Sequence, residues 1–240
     1  MGAQWKHAGR VDNASKRGAI FGKLCKEIVV AAKMGDPNPD GNSRLRAAIE
    51  AAKKASVPRD TIERAIKKGA GLLNETVNYE SVFYEGFAPH KVPVIVECLT
   101  ENKNRTAADV RVLFRKGQLG AMGSVMWMFD RMGVVEATHA DGTLDREGVA
   151  IEAGAQIVEP LEAADVPAGH CGARFICDGS DLDTVTKFVT ANGWTVTSSE
   201  LSYIAKNFAE LGEDQRKEVT EFLSGLDEHD DVHRIYTAIR

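Results

Sequence analysis

Apolar residues in the first 78 positions recur at three- and four-residue steps, and from residue 79 onward short strand-like runs alternate with such helical stretches. A helical period does not settle into a strand, so a chain patterned this way separates a helical block from sheet-bearing blocks. Between Ser15 and Lys33, the residues Ile20, Leu24, Ile28 and Ala31 fall on one helical face. The stretch MGDPNPDGNS then interrupts the chain with glycine and proline. A second helix is predicted from Asn42 to Ala55, with Leu45, Ala48, Ile49 and Ala52 inward. A third begins near Pro58, a residue suited to a first helical turn, and stops at Gly69, with Ile62, Ala65 and Ile66 inward. Helices this short are marginal alone, so the three must pack as a unit. Gly69-Ala70-Gly71 predicts a hinge after them.

The second block opens with a strand pair, YESVFYEGF (79–87) and VPVIVECL (92–99), around a turn at Ala88 to Lys91. A helix at about 105–116 and a strand through SVMWMF (124–129) follow. The third block has a clear order. Strand GVVEAT (133–138) leads to a helix near 144–153 and strand QIVEPL (156–161). Strand ARFIC (173–177) then leads to a helix near 181–192 and strand WTVTSSEL (194–201). That is βαββαβ, the ferredoxin-like order. A helix at about 213–224 and a strand near 231–237 remain, and they fit as cover and edge for the second block's sheet. The expected fold class is therefore α+β: an N-terminal three-helix domain (1–78), a discontinuous α+β domain (79–132 plus 202–240), and a ferredoxin-like α+β domain (133–201) inserted in it.

Charge is divided along the same line. Residues 1–79 hold 15 Lys and Arg against 8 Asp and Glu, a balance of +7, and the remaining residues hold 15 against 27, a balance of −12. A basic head on an acidic body draws in a polyanion from one side. No apolar run approaches the ~20 residues that span a bilayer, and no secretory h-region follows the polar start. Cys25, Cys98, Cys171 and Cys177 form no CxxC pair, and three of them sit in apolar stretches. They read as free thiols of a reducing compartment, which predicts a cytoplasmic protein without membrane contact.

Three stretches carry a family resemblance: KRGAIFGKLCKEIVVAAKMGDPNPDGNSRLRAAIEAAKKASVPRDTIERAIKKGAG (16–71), YEGFAPHKVPVIVECLTENKNRTAADVR (84–111) and GSVMWMF (123–129). Through them the whole chain resembles the YebC/PmpR family of bacterial proteins, whose mitochondrial relatives include a translational activator of cytochrome oxidase. The resemblance implies a helical first domain and two α+β domains, one inserted in the other. It also implies one of two roles, neither with a catalytic centre: a DNA-binding transcriptional regulator, or a ribosome-associated translation factor that relieves stalled elongation. The start MGAQWKHAGR, the turn APHK and the segment RKGQLGAMGS depart from the family pattern.

Candidate nucleic-acid contacts follow from the basic head. They are Lys6 in the tail, Lys16, Arg17, Lys23 and Lys26 on the first helix, Lys53 and Lys54 closing the second, and Arg59, Arg64, Lys67 and Lys68 on the third. Phosphate contacts need only Lys or Arg in reach and carry no sequence information. Solvated helix faces, dipole-compensating lysines and the i,i+4 pair Arg59–Glu63 account for some of these residues without any ligand. Trp5 either stacks on a base or anchors the tail. The segment ENKNRTAADVR offers a second contact at Asn104, Arg105, Arg111 and Arg115, with Asn104 or Thr106 as helix cap and Thr106 with Asp109 as a capping box. No helix-turn-helix, zinc finger or RNP signature is present. His229 and His233 in HDDVH are four apart but lack a third ligand, and no GxGxxG, Walker loop or GxSxG occurs. The sequence predicts no catalytic residue, metal or cofactor. The expected partner is nucleic acid, as duplex DNA or ribosomal RNA, with the ribosome or other proteins meeting the acidic domains.

Overall fold

The computed structural model describes residues 14–73 and 78–239. They form α+β architecture: three helices, then two four-stranded antiparallel sheets with their own helices. The chain divides into two compact units. One runs to Asp130 and resumes at Tyr203, and the other is Arg131–Ser202.

The first unit begins with α1 (Ala14–Met34), α2 (Ser43–Lys54) and α3 (Arg59–Gly69). Asn42 is the N-cap of α2. Its side chain accepts from Leu45 N at 3.0 Å and donates to Ala31 O at 2.8 Å, so one residue caps α2 and pins it to α1. Ile28, Leu45, Ala48, Ile49, Ala52, Ile62 and Ala65 fill the bundle core. Ile20, expected inward, is instead half exposed. Full burial on α1 starts only at Glu27, because this 21-residue helix outruns partners of 12 and 11 residues. Gly69, which the sequence offers as a hinge, is packed tightly against α1. A Cβ there would overlap the Val29 carbonyl oxygen and crowd Ala32, so glycine is what lets α3 close on α1. Gly71 follows in the left-handed region at φ 71°. Pro58 stands one place earlier than a first-turn residue, as the N-cap of α3.

A sheet completes this unit. Strands β1 (Glu80–Ala88) and β2 (Val92–Thr100) pair antiparallel around Pro89–Lys91, with His90 and Lys91 both at positive φ. The two-residue β3 (Gln118–Leu119) adds to β1, and the last strand, β8 (Val232–Thr237), adds to β2. The order is β3-β1-β2-β8. Helices α4 (Lys103–Leu113) and α7 (Glu213–Asp227) supply Val110, Val219, Phe222, Leu223 and Leu226 to its core.

Two local expectations fail here. The N-cap of α4 is Asn102, which accepts from Arg105 N at 3.2 Å, and neither Asn104 nor Thr106 caps. The Thr106 hydroxyl is buried and donates elsewhere, to Asp231 Oδ2 at 2.9 Å. SVMWMF is not a strand either, save for Phe129 at its end, where the next strand begins. Met126–Met128 is a 3-10 turn, because the buried Glu85 carboxylate takes the N–H groups of Gly123, Val125 and Met126 at 2.6, 2.8 and 2.8 Å. Donors captured by a side chain cannot join a ladder.

The second unit is built from β4 (Phe129–His139), α5 (Arg146–Ala153), β5 (Ile157–Pro160), β6 (Cys171–Asp178), α6 (Leu182–Ala191) and β7 (Thr195–Ala205). The sheet order β5-β6-β4-β7 is that of a ferredoxin-like βαββαβ unit. Val135, Phe175, Val185, Val189 and Trp194 form its core, and Arg174 ties β6 to Glu136 and Glu159 on the flanking strands.

Candidate nucleic-acid interface

The basic residues of the bundle divide into two groups with different surroundings. On α2 and α3 the candidate contacts, Lys68 apart, face solvent. Lys53 and Arg59 are exposed and make only surface pairs, to Glu50 at 2.7 Å and Glu63 at 2.8 Å. Such pairs contribute little and yield readily to a stronger anion. Lys54, Arg64 and Lys67 are exposed as well, and Lys68 is half-buried. The α3 residues lie off the face of Ile62 and Ala65.

Two α1 lysines are committed inside the unit. Lys26 Nζ lies 2.9 Å from Asp231 Oδ1, donates to Asp230 O at 2.8 Å, and sits 5.8 Å from the centre of the Tyr79 ring. Lys23 reaches the carbonyl and carboxylate of Asp227. Both are mostly buried and join the bundle to the C-terminal end of α7 and the start of β8. Part of the head's positive charge is thus matched by acids of its own chain. Lys6 and Trp5 lie outside the described residues, as do the side chains of Lys16 and Arg17.

The same seam holds a charge cluster that sequence reasoning missed. Glu27, buried on α1, takes a two-pronged contact from Arg44, Nε at 2.7 Å and Nη2 at 3.1 Å. His233 Nε2 stands 2.9 Å from Glu27 Oε2 without lining up as a hydrogen bond, and Arg234 Nη2 stands at 3.9 Å. Burial pushes the Glu27 carboxyl up, but His233 and Arg44 outweigh it and hold the group well below the usual carboxylate range. Asp231 behaves alike. Burial opposes its charge, while Lys26, Arg105 and Thr106 bring it down to about 2. No helical or strand period marks an acid for such a role, and the one signal in the sequence is the concentration of HDD at 229–231.

The second contact is placed unevenly. Arg105 Nη2 bonds Asp231 Oδ2 at 2.9 Å with its guanidinium still more than half exposed. Asn104, Arg111 and Arg115 are exposed on α4 and the 3-10 turn after it. The HDDVH histidines do not converge: His229 lies 3.3 Å from Asp109 and His233 faces Glu27. Among the described residues no cluster of His, Cys, Asp or Glu is arranged to hold a metal, and no helix is long and apolar enough to cross a membrane. The four cysteines are free thiols, and burial pushes Cys98 up to about 12.

Residues 3–72 match the N-terminal domain of TACO1/YebC proteins, and residues 79–239 match their second and third domains. The chain belongs to the TACO1/YebC family. It is 52% identical over 241 residues to a probable transcriptional regulatory protein of Bdellovibrio bacteriovorus, covering all of both chains. It is 53% identical to a protein of the same description from Pseudomonas syringae, covering 100% of this chain and 99% of that one. Among solved structures it resembles a hypothetical protein of Aquifex aeolicus with a TM-score of 0.81 at 36% identity, over 99% of this chain and 96% of the other. The family boundary between residues 72 and 79 coincides with the change from the bundle to the first sheet.

Proposed function

We propose that this protein is a non-enzymatic, cytoplasmic regulator of gene expression that binds nucleic acid through α2 and α3, as a DNA-binding transcriptional regulator. The observation that carries the reading is the exposed set Lys53, Lys54, Arg59, Arg64 and Lys67, with Lys68 beside it, on a chain whose remainder is strongly acidic. The relatives' description as probable transcriptional regulatory proteins supports it. Contacts of this kind act on phosphates, so affinity should fall steeply with salt, with a log–log slope near −0.9 per phosphate contact on B-DNA. Lys6, Lys16 and Arg17 belong to the proposed surface. Lys23 and Lys26 belong to it only if the seam opens. Asn104, Arg105, Arg111 and Arg115 form a proposed secondary contact, and the acidic sheets are left to a protein partner. The test is titration of a labelled duplex at several salt concentrations, and the reading is lost if nothing binds at low salt.

A second reading is favoured by the exposed face of α3, where Asp60 and Glu63 interrupt the cations. That face suits a phosphate lattice of irregular shape better than the edge of a major groove. The protein would then be a ribosome-associated translation factor on ribosomal RNA. Sedimentation of lysate through a sucrose gradient separates the two readings: co-migration with ribosomal particles supports translation, and retention at the top with enrichment at promoters supports transcription.

A further inference from the structure

Residues 120–127 form a loop at the edge of the first sheet, and the chain fastens it at unusual cost. Glu85 is 3% exposed, and its carboxylate accepts three loop N–H groups. Gly120 N donates to the Glu85 carbonyl at 2.8 Å, and Ser124 N to Ala121 O at 3.1 Å. Gly123 sits in the left-handed region at φ 82°. A buried charge is expensive unless bonded in this way, and here the bonds hold a loop rather than a core.

What the loop presents is apolar. Met122 is 91% exposed and Trp127 65%. The Trp127 indole Nε1 donates to Ser124 O at 3.1 Å, so the ring edge is tied to the loop while most of its surface remains in water. From Phe114 to Phe129 the sequence has no acidic residue and carries Arg115 and Lys116, both exposed, on a chain of net charge −5. An oriented aromatic surface on a segment whose only charges are exposed cations is the chemistry that receives an unpaired base with its phosphates. An acidic or purely apolar partner would leave either the cations or the indole unused.

We propose that Trp127, braced by Glu85, is a stacking platform for an unpaired nucleobase of single-stranded nucleic acid, with Arg115 and Lys116 meeting the neighbouring phosphates. The inference rests on the nucleic-acid reading above but uses a different surface and a different contact, the face of a base. Stacking works through the base, so ribo- and deoxyribo-oligonucleotides both serve as ligands, and running them side by side identifies the preferred strand.

The test uses the full chain carrying Trp5→Phe, which leaves Trp127 and the buried Trp194 as emitters. A single-stranded decamer should quench the emission, and an abasic decamer of equal charge should not. Trp127→Ala should weaken binding of the base-bearing strand by roughly 5- to 150-fold and leave the abasic strand unchanged. Trp127→Phe should restore most of the affinity. Replacing Arg59, Arg64, Lys67 and Lys68 by Gln should weaken both strands alike, so loss of the bundle reading and loss of this one give different patterns. Equal binding of base-bearing and abasic strands by the parent, or unchanged affinity in a folded Trp127→Ala, overturns the platform. Emission that shifts with protein concentration alone would assign the ring to a second copy of the chain and overturn it as well.

Discussion

Glu27 on α1 and His233 on β8 meet at 2.9 Å across 206 residues of sequence, with Arg44 closing on the same carboxylate from α2. Glu27 is buried and His233 mostly so, and the contact seats a helical bundle on a sheet through charge rather than through a shared apolar core. Seams of this kind are specific in geometry and sensitive to the loss of one member.

Glu27→Gln leaves Arg44 and His233 facing a neutral amide in a buried site. Stability should fall by about 3 kcal/mol, read as a lower midpoint in urea with the slope unchanged. A variant as stable as the parent would mean that the cluster is dispensable to the seat.

The carboxyl of Asp231 lies at about 2 in the folded protein, against about 3.9 in an unfolded chain. A depressed carboxylate contributes stability above its unfolded value and loses it as pH falls toward its folded value. Unfolding free energy should therefore drop between about pH 4 and pH 2, with Glu27 adding to the loss in the same direction. Asp231→Asn should start less stable and show a shallower acid limb. Denaturant titrations at half-unit pH steps measure both.

Gly69→Ala forces a methyl group against the Val29 carbonyl and Ala32. The expected cost is about 1–3 kcal/mol from overpacking. Gly71→Ala has open space around its Cβ, and its penalty, about 1 kcal/mol, comes from the left-handed backbone alone. Thermal melts of the two variants should rank in that order, and a neutral Gly69→Ala would restore the hinge interpretation.

Lys26→Gln and Arg64→Gln exchange one charge each but should separate in their effects. Lys26 serves Asp231, so its loss should lower stability by about 1–3 kcal/mol and leave the salt dependence of duplex binding unchanged. Arg64 is on the exposed face, so its loss should leave stability within about 0.5 kcal/mol and reduce the salt slope by about one. Parallel melts and binding titrations decide the assignment.

Much of the fold was legible because its elements obey simple periods. The α2 face Leu45, Ala48, Ile49 and Ala52 is buried as its spacing predicts, and the βαββαβ order of the inserted unit follows from alternating strand and helix patterns. What escaped depends on partners distant in sequence. The loop at 120–127 looks like part of a strand until Glu85 is brought beside it, and β3 is too short to leave a period. Lys23 and Lys26 look like any basic residues on a helix, and only the return of the chain at residues 227–231 distinguishes them from Arg59 and Arg64. Charge type is local information, whereas charge pairing belongs to the tertiary structure.

The order of synthesis gives the seam a further meaning. The charged partners that α1 meets between Asp227 and Arg234 are made long after the bundle itself, and β2 waits for the same part of the chain to gain its neighbour β8, with Tyr236 bonding Glu97 across 139 positions. The bundle leaves the ribosome early and can fold early, since its own contacts are short in sequence, but its charge contacts stay unmade until residues 227–234 have been translated. Through that interval Lys23 and Lys26 face water instead of Asp227 and Asp231, so the nascent head is more cationic than the finished one. A chain truncated before Asp227 would keep that condition permanently: a helical head with its full charge, no seat, and a sheet with one edge open.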